Sequence, residues 1–283
     1  VGRVTSIGIT GFDGGCVVSD NGAPEAGYEA GIKSVCVIDT GVDYDHPDLN
    51  VSSVFFNAFS RGSRDDLNGH GSHVAGTIGA RANGEGVVGV APGVEIVSVK
   101  VLNRRGSGTY SGVIAGVDFV AGTTSSCEVA NMSLGGGGYD PLDDAVRCAA
   151  SSITEENPYG ECPDGFEPRG VTFTLAAGNS GDDASKYSPA RVGLDNDNIH
   201  TIAAMDINND WIYWSNYGPP VDYIEPGVSI LSTFKDGGYE TYSGTSMAAP
   251  HMAGIVIRGL GITKDGAVTR TDNADTYDIG ISD

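Results

Sequence analysis

The sequence of 283 residues has no uninterrupted apolar run close to the roughly 20 residues that a membrane-spanning helix needs. It also lacks a cluster of lysine and arginine, and phosphate binding requires grouped cations. Val1 is not followed by a basic region and an apolar stretch, so we expect any signal peptide or pro-segment to be already absent. We therefore expect neither a membrane nor a nucleic acid among the partners of the chain.

Basic residues are scarce, with 16 lysines and arginines against 37 acidic residues and a formal charge of −21. This surplus has three open explanations, namely a solvated surface that resists aggregation, adaptation to salt, or bound calcium. A hydrophobic fraction of 40% is ordinary for a globular protein with one sizeable core. Because linkers and repeats are absent too, we predict a single domain over residues 1–283, with a loosely packed acidic extension at 263–283.

Cysteine is rare, and none of the five cysteines stands in a C-x-x-C pair. A zinc ribbon or a thioredoxin-type redox motif is therefore disfavoured, and disulfides in a secreted protein fit better. The odd number leaves at least one thiol unpaired. The cysteines are Cys16, Cys36, Cys127, Cys148 and Cys162.

Short β-branched runs alternate with helical patterns along the chain. Apolar residues recur at helical spacing between positions 110 and 121, and Pro141 opens a second helical stretch. The pattern predicts an α/β fold, doubly wound, with a mostly parallel central sheet and helices on both faces. The four predicted strands span positions 34–38, 94–102, 128–134 and 171–177.

Glycine and polar residues follow the predicted strands, at positions 39–41, 135–138 and 178–181. In open α/β sheets, the active site lies at the carboxyl ends of the strands. We therefore look for functional residues in these three segments and in the segments that the fold brings next to them.

Three segments carry residue types suited to nucleophilic catalysis: Val-Ile-Asp39-Thr-Gly, His70-Gly-Ser-His-Val-Ala-Gly and Gly-Thr-Ser246-Met-Ala-Ala-Pro. A serine hydroxyl is a weak nucleophile until a base accepts its proton, and histidine has a suitable pKa near neutral pH. A carboxylate bound to the second ring nitrogen fixes the tautomer of such a histidine. We predict that Asp39, His70 and Ser246 form a catalytic triad.

In this order along the chain, the three segments resemble the signature segments of the subtilisin family, and the resemblance extends from about position 34 to 261. It implies a secreted, monomeric serine endopeptidase that acts on proteins or peptides and is inhibited by its own pro-segment before maturation. It also implies that Asn179 donates from its side chain, and Ser246 from its backbone, to the oxyanion of the reaction.

Each of these residues has another explanation when taken alone. Asp39 and Asn179 are both compatible with turns, and Ser246 with a helix N-cap. His70 and His73 share one face of a helix, as a pair of metal ligands would. These separate explanations do not account for three motifs in one order.

Two other functions stay open at this point. One is a secreted, calcium-binding pseudoprotease that binds peptides without cleaving them. The other is an esterase of the α/β-hydrolase type, which would need Gly-x-Ser-x-Gly and the order Ser, Asp, His. The chain has Gly-Thr-Ser-Met-Ala instead, so the esterase is the poorer match.

The resemblance also implies a cleft in which two extended segments pair with the substrate backbone as added strands. Its primary pocket is uncharged and suits large apolar or aromatic side chains, with Tyr187 at the floor or rim. Arg104 and Arg105 either attract acidic residues at outer subsites or are ordinary solvated charges. The predicted substrate-binding residues are Gly106, Ser107, Gly108, Ser133, Leu134, Gly135, Ala176, Ala177, Gly178 and Tyr187.

Positions 81–87 align without gaps with a loop that holds structural calcium in many subtilisins. The family's further ligand near the N-terminus has no counterpart before Asp39, and a second calcium site around Pro189, Val192 and Asp206 stays open. Calcium prefers several oxygen ligands. The predicted ligands are the side chains of Asp48 and Asn83 and the carbonyl groups of Arg81, Glu85 and Val87.

The chain also departs from the family pattern. The stretch 155–169 looks inserted, and the region after Leu260 is too short for the family's usual final helices. Cys148 precedes the inserted stretch and Cys162 lies within it, and we predict a disulfide between them. A second predicted disulfide, Cys36 with Cys127, rests on neighbouring predicted strands.

Overall fold

The computed structural model of the chain describes residues 34–60, 62–122, 124–151, 162, 169–193, 195–259, 262–270 and 275–282. Cys16 and most of the predicted insertion lie outside these residues.

Strands form the central layer of the described structure. The outer boundaries of the predicted strands and helices agree with the observed ones to within about two residues. In chain order the described strands are β1 (Ser34–Asp39), β2 (Val51–Asn57), β3 (Glu95–Lys100), β4 (Val129–Met132), β5 (Gly136–Gly137), β6 (Thr172–Ala176), β7 (Tyr187–Ser188), β8 (Ile199–Met205), β9 (Tyr223–Pro226), β10 (Ile230–Phe234), β11 (Gly238–Tyr242), β12 (Ile262–Thr269) and β13 (Thr276–Ser282).

Among the described residues, nine of these strands form one sheet in the order β12-β13-β9-β8-β6-β4-β1-β3-β2. All neighbouring strands run parallel except β12, which is antiparallel to β13 at the edge. The chain leaves β1 towards β3 on one side and then returns past β1 to β4 on the other. The carboxyl end of β1 is therefore a topological switch point, where open α/β sheets form their sites.

Helices cover both faces of this sheet: α1 (His70–Gly79) and α4 (Thr245–Ile257) on one, α2 (Tyr110–Ala121) and α3 (Asp140–Ala150) on the other. Alternate residues of β1 face the two layers, because successive side chains of a strand point to opposite sides. The predicted doubly wound α/β fold is thus confirmed. None of the helices in the described part of the chain combines the length and apolarity that crossing a bilayer requires.

Both predicted disulfides are present. Cys36 of β1 is bonded to Cys127, which lies just before the neighbouring strand β4. Cys148 near the end of α3 is bonded to Cys162, which closes a loop with a sequence separation of 14.

The C-terminal segment differs from the sequence-based expectation. Instead of a loosely packed extension, β12 and β13 form a hairpin, and β13 extends the central sheet by pairing with β9. Val268, Tyr277 and Ile279 of this hairpin are buried in a core cluster. The prediction was wrong because polar residues alternate with these apolar ones, so that the segment is polar on average yet covers the core with one face.

A buried carboxyl group lies where β9 meets the hairpin. Glu225 has no exposed surface, and its Oε1 accepts a hydrogen bond from Gly280 N at 3.1 Å. Its Oε2 has no hydrogen-bond partner among the described residues. Burial raises the pKa of Glu225 well above its usual value, although the Gly280 hydrogen bond acts in the opposite direction.

We expect the stability of the folded chain to fall as the pH rises above the usual pKa of a glutamate. The folded state retains a proton on Glu225 that the unfolded state releases, so the unfolded state gains relative stability with pH until the folded pKa is passed. Urea unfolding between pH 5 and pH 9 measures this. Between these pH values, the free energy of unfolding should fall less in Glu225→Gln than in the parent. Glu240→Gln, on the exposed strand β11, should show the same fall as the parent. An equal loss in Glu225→Gln would contradict the interpretation.

Candidate active site

Asp39 is the last residue of β1, and its carboxylate is completely buried. Oδ1 accepts a hydrogen bond from Thr40 N at 2.6 Å, and His70 Nδ1 lies 2.8 and 2.9 Å from Oδ1 and Oδ2. Because β1 is paired on both sides, the sheet fixes the position of this carboxylate. A carboxylate held in this way orients the imidazole ring and stabilises its protonated form.

His70 is the first residue of α1, and the chain reaches it through Gly69, which has a φ of 107°. A Cβ atom at Gly69 would lie 2.1 Å from the ring of Phe234, so a side chain does not fit there. Glycine at this position allows the turn that presents the histidine ring to Asp39.

Asp66 is a functional residue that the sequence analysis missed. Its Oδ1 accepts hydrogen bonds from Thr40 Oγ1, Asn68 N and Gly69 N, and its Oδ2 accepts two from the backbone and hydroxyl of Ser72. The first N–H groups of a helix have no partner within the helix and favour an anion. Asp66 therefore holds the start of α1 in place. Its sequence signal is an acidic residue just before a predicted helix.

The pKa of His70 is raised above its usual value. Burial alone would lower it, because a desolvated ring disfavours charge. The charge and hydrogen bond of Asp39, together with the charge of Asp66, outweigh this effect. Two carboxylates therefore stabilise the protonated ring.

Ser246 lies in the first turn of α4, after Gly244. Its hydroxyl donates a hydrogen bond to Ser133 O at 3.2 Å, and no hydrogen bond joins it to His70 in the described part of the chain. Catalytic hydrogen bonds are often long without substrate and shorten when it binds. The helix N-terminus beneath Ser246 favours negative charge next to it.

The Asn179 side chain is oriented by Thr245, the residue before Ser246. Asn179 Oδ1 accepts hydrogen bonds from Thr245 N at 2.8 Å and from Thr245 Oγ1 at 3.0 Å. Thr245 Oγ1 in turn accepts one from Gly178 N. Since Oδ1 accepts these two hydrogen bonds and Asn179 is an exposed residue, its Nδ2 group is available to donate.

A cavity of about 490 Å³ lies beside these residues and includes His70 and Asn68 in its lining. The rings of Tyr110 and Tyr139 are stacked 4.4 Å apart, and Tyr110 OH donates to Gly137 O. These contacts connect the two walls of the cavity. Six predicted substrate-binding residues line it, namely Gly106, Ser107, Gly108, Ser133, Leu134 and Gly135.

The other four predicted substrate-binding residues do not line this cavity. Ala176 ends β6, Ala177 is completely buried, and Gly178 follows them. Tyr187 is partly buried, and its hydroxyl donates to Asp182 Oδ2 at 3.3 Å. Their role in a primary pocket remains a prediction.

The predicted calcium loop surrounds Asp48, which is buried. Asp48 Oδ1 accepts a hydrogen bond from Asn83 Nδ2, and Oδ2 accepts from Val87 N and Tyr239 OH. Burial and the charge of Asp48 raise the pKa of Tyr239 to about 12, so this hydroxyl remains a donor. The Asp48 carboxylate is thus bound by three protein groups.

These residues fit a calcium ion in part. No described group donates to the carbonyl oxygens of Arg81, Glu85 or Val87, which leaves them available as ligands. Asn83 instead faces Asp48 through its nitrogen, and its Oδ1 accepts from Glu85 N. Among the described residues, no three His, Cys, Asp or Glu side chains are grouped to hold a metal, so such a site would depend on carbonyl oxygens.

The second calcium site gains no support. Asp206 Oδ1 accepts hydrogen bonds from Asn208 N and Asp210 N within its own turn. The carbonyl groups of Pro189 and Val192 accept backbone hydrogen bonds from their own turn.

His73 has a structural role and does not pair with His70 on a metal. Its Nε2 lies 3.0 Å from Ile230 O and 3.1 Å from Glu240 O, which belong to β10 and β11. Burial lowers the pKa of His73 to about 4, so the ring is neutral and donates from Nε2. His73 therefore attaches the β10–β11 hairpin to α1.

Comparisons with known proteins indicate the family of the chain. Residues 31–260 match the family model described as the subtilase family. The chain is 46% identical over 221 residues to alkaline serine exoprotease A of Vibrio alginolyticus and 38% identical over 232 residues to subtilisin DY of Bacillus licheniformis. A crystal structure of a cold adapted subtilisin-like serine proteinase superposes with a TM-score of 0.69 at 37% identity, covering 88% of this chain and 87% of that one.

The relatives differ in length. The alignments cover 77% of this chain but 36% of exoprotease A, and 81% of this chain and 76% of subtilisin DY. Proteinase R of Parengyodontium album is 41% identical, with 51% of its length covered.

We expect Asp66→Asn to lower the pKa of His70, because it removes one of the two carboxylates that raise it. An NMR titration of the His70 ring measures the shift, and thermal unfolding checks that the variant is folded. The control is Asp65→Asn, since the neighbouring Asp65 does not contribute to the raised pKa of His70. If His70 has the same pKa in Asp66→Asn as in the parent, the Asp66 carboxylate does not affect the protonation of the His70 ring.

Proposed function

Because the chain belongs to the subtilase family, we propose that it is a serine endopeptidase that hydrolyses peptide bonds through an acyl-enzyme on Ser246. The observation that carries the proposal is the buried Asp39 carboxylate, 2.8 Å from His70 Nδ1 at the switch point of the sheet. A general base oriented in this way is what an otherwise weak serine nucleophile requires.

In the proposed reaction, Ser246 Oγ attacks the carbonyl carbon of the scissile bond while His70 Nε2 accepts the hydroxyl proton. The resulting imidazolium is stabilised by Asp39, which remains ionised. His70 then gives the proton to the leaving amine as the C–N bond breaks. In the second half, a water molecule loses a proton to His70 and attacks the acyl group, and the proton returns to Ser246 as the ester bond breaks.

Negative charge on the carbonyl oxygen would be stabilised by two donors, the side-chain Nδ2 of Asn179 and the backbone N–H of Ser246. The hydrogen bonds from Thr245 to Asn179 Oδ1 support this role, because they orient the amide before substrate arrives. Such preorganised donors are worth more than flexible ones, since no reorganisation accompanies the reaction.

The proposed substrates are proteins or peptides with a large apolar or aromatic residue before the scissile bond. Among the described residues, no aspartate, glutamate, lysine or arginine lines the 490 Å³ cavity, which supports a cleft that accepts uncharged side chains. The two disulfides favour an oxidising compartment, so we propose a secreted protein. The remaining expectations, a monomeric single domain inhibited by its own pro-segment, rest on the resemblance.

The alternative, a peptide-binding pseudoprotease, is distinguished by a serine-directed fluorophosphonate probe. The hydrogen bond from the Ser246 hydroxyl to Ser133 O is the one observation that favours it, because this bond uses the proton that His70 should accept. An active enzyme should be labelled on Ser246, and prior modification of the serine should block peptide hydrolysis. No labelling of folded protein would favour the pseudoprotease.

We also propose one structural calcium ion at the Asp48 loop. Asp48 and the carbonyl groups of Arg81, Glu85 and Val87 would hold it, and Asn83 would support Asp48 by its hydrogen bond. The ion would supply stability rather than reaction chemistry. The three hydrogen bonds to Asp48 would keep part of the loop ordered without it.

We expect Ser246→Ala to abolish hydrolysis of a peptide substrate, because the acyl-enzyme cannot form. Asn179→Ala should lower kcat by roughly 100- to 1,000-fold, the range reported for a donor of this kind in a subtilisin. His70→Ala combined with Ser246→Ala should lose little more than either change alone, since the residues act as a unit. Near-normal turnover in Ser246→Ala, at unchanged melting temperature, would refute the proposed mechanism.

Chelation should lower the melting temperature. An ion bound only to the folded state adds RT ln(1 + [L]/Kd), about 2.7 kcal/mol at a hundredfold excess over Kd. The measurement compares metal-free and calcium-loaded protein in the Ser246→Ala background, which prevents autolysis. Asp48→Asn is the control, and its melting curve should not respond to calcium. Identical curves for metal-free and loaded protein would mean that this loop binds no calcium.

A further inference from the structure

A second cavity of about 300 Å³ lies next to the catalytic cleft. Its lining is cationic and apolar and contains no carboxylate among the described residues. This is unusual in a chain with a formal charge of −21 and only 16 basic residues. The lining includes Lys100, Arg104, Arg105, Phe59 and Leu67. We name this cavity the basic groove.

The basic groove and the catalytic cleft lie on two sides of one turn. Residues 103–105 line the groove, and residues 106–108, which follow directly, line the cleft together with His70. Asn68 Nδ2 donates to Arg104 O at 3.1 Å, which ties the turn to the segment that leads into His70. The groove is therefore continuous with the wall along which a peptide would lie.

The turn is held by its own hydrogen bonds. Asn103 N donates to Ser107 O at 2.9 Å, and Gly106 N donates to Asn103 O at 2.8 Å. Asn103 Oδ1 accepts from Arg105 N at 2.8 Å. The backbone that carries the two arginines is thus ordered before any ligand binds, which lowers the entropic cost of binding.

The charges of Arg104 and Arg105 are not used within the described part of the chain. Both residues are exposed and form no ion pair there. Other basic residues are engaged: Arg147, Lys186, Arg191 and Lys264 bind aspartates. Lys100 differs, because its ammonium group is buried and donates to Thr40 O, so it adds positive charge at the base of the groove.

We propose that the basic groove binds an acidic side chain of the peptide substrate, on the amino-terminal side of the scissile bond. This inference rests on the proposed peptidase function. The amino-terminal side is part of the proposal, and the groove precedes Gly106, Ser107 and Gly108 along the wall that these residues form together with His70. Carboxylates are the natural partners of guanidinium groups, which bind them through paired donors.

The acidic character of the whole chain does not cancel this attraction. At physiological ionic strength, charges separated by more than about 8 Å are largely screened, so the nearby arginines decide the local preference. Apolar Phe59 and Leu67 suit the methylene groups of a glutamate side chain. Exposed ion pairs are individually weak, so we expect a preference of roughly three- to tenfold.

The test uses peptides with one fixed cleavage site and with Glu, Gln or Lys at the second, third or fourth residue before the scissile bond. We expect the parent enzyme to show a higher kcat/KM for Glu than for Gln at one of these positions. Added salt should reduce the ratio. Arg104→Ser/Arg105→Ser should bring the Glu-to-Gln ratio to about one, and Arg104→Glu/Arg105→Glu should favour Lys.

The control is Arg258→Ser/Lys264→Ser, which changes the net charge equally but away from the cleft, and which should keep the parental ratio. A Glu-to-Gln ratio near one at all three positions would overturn the proposal, as would a preference that survives in Arg104→Ser/Arg105→Ser. If the parent hydrolyses none of the peptides, the proposed peptidase function itself fails, and that result is distinct from hydrolysis without charge preference.

Discussion

The contact between Asp39 and His70 is the interaction on which the proposed chemistry depends. A buried carboxylate is costly unless hydrogen bonds and a nearby positive charge compensate it. Asp39 accepts hydrogen bonds from Thr40 N and from the His70 ring, and its position at the end of β1 is fixed by strands on either side. The sheet topology therefore decides where the general base stands, and the loops around it only have to bring substrate and nucleophile to that point.

Asp66 links this pair to the helix that carries His70. It accepts a hydrogen bond from the hydroxyl of Thr40, the residue after Asp39, and it accepts backbone hydrogen bonds at the start of α1. Both sides of the Asp39–His70 contact are thus held by one carboxylate. Because that carboxylate also contributes to the raised pKa of His70, the geometry and the protonation of the base have a common cause.

The sequence was most informative where residue type is dictated by burial or by chemistry. The β-branched runs predicted β1, β3, β4 and β6, because strands covered on both faces must be apolar throughout. The three motifs identified the candidate triad. Asp66 was missed because its role appears only when Thr40 and Ser72 are brought next to it in space. Likewise, no sequence pattern shows whether the Asn83 side chain binds calcium through its oxygen or donates a hydrogen bond to Asp48 through its nitrogen.

The C-terminal hairpin was also missed, and it packs beside the helix that carries Ser246. Nearly every residue of α4 is buried, so the helix that carries Ser246 needs apolar neighbours on all sides. α1 provides one neighbour, and the sheet provides another.

Towards the edge of that sheet, β13 runs past α4, and at Gly280 a Cβ atom would lie 2.4 Å from the end of the Met252 side chain. In the described part of the chain, two strands at the sheet edge occupy the region that the sequence analysis found too short for the family's usual final helices. Alternating polar residues are compatible with this task, because a strand needs only one apolar face to pack against the core. The helix that carries the proposed nucleophile therefore packs against a segment that resembles a solvated tail in sequence, and the two approach each other closely at a glycine.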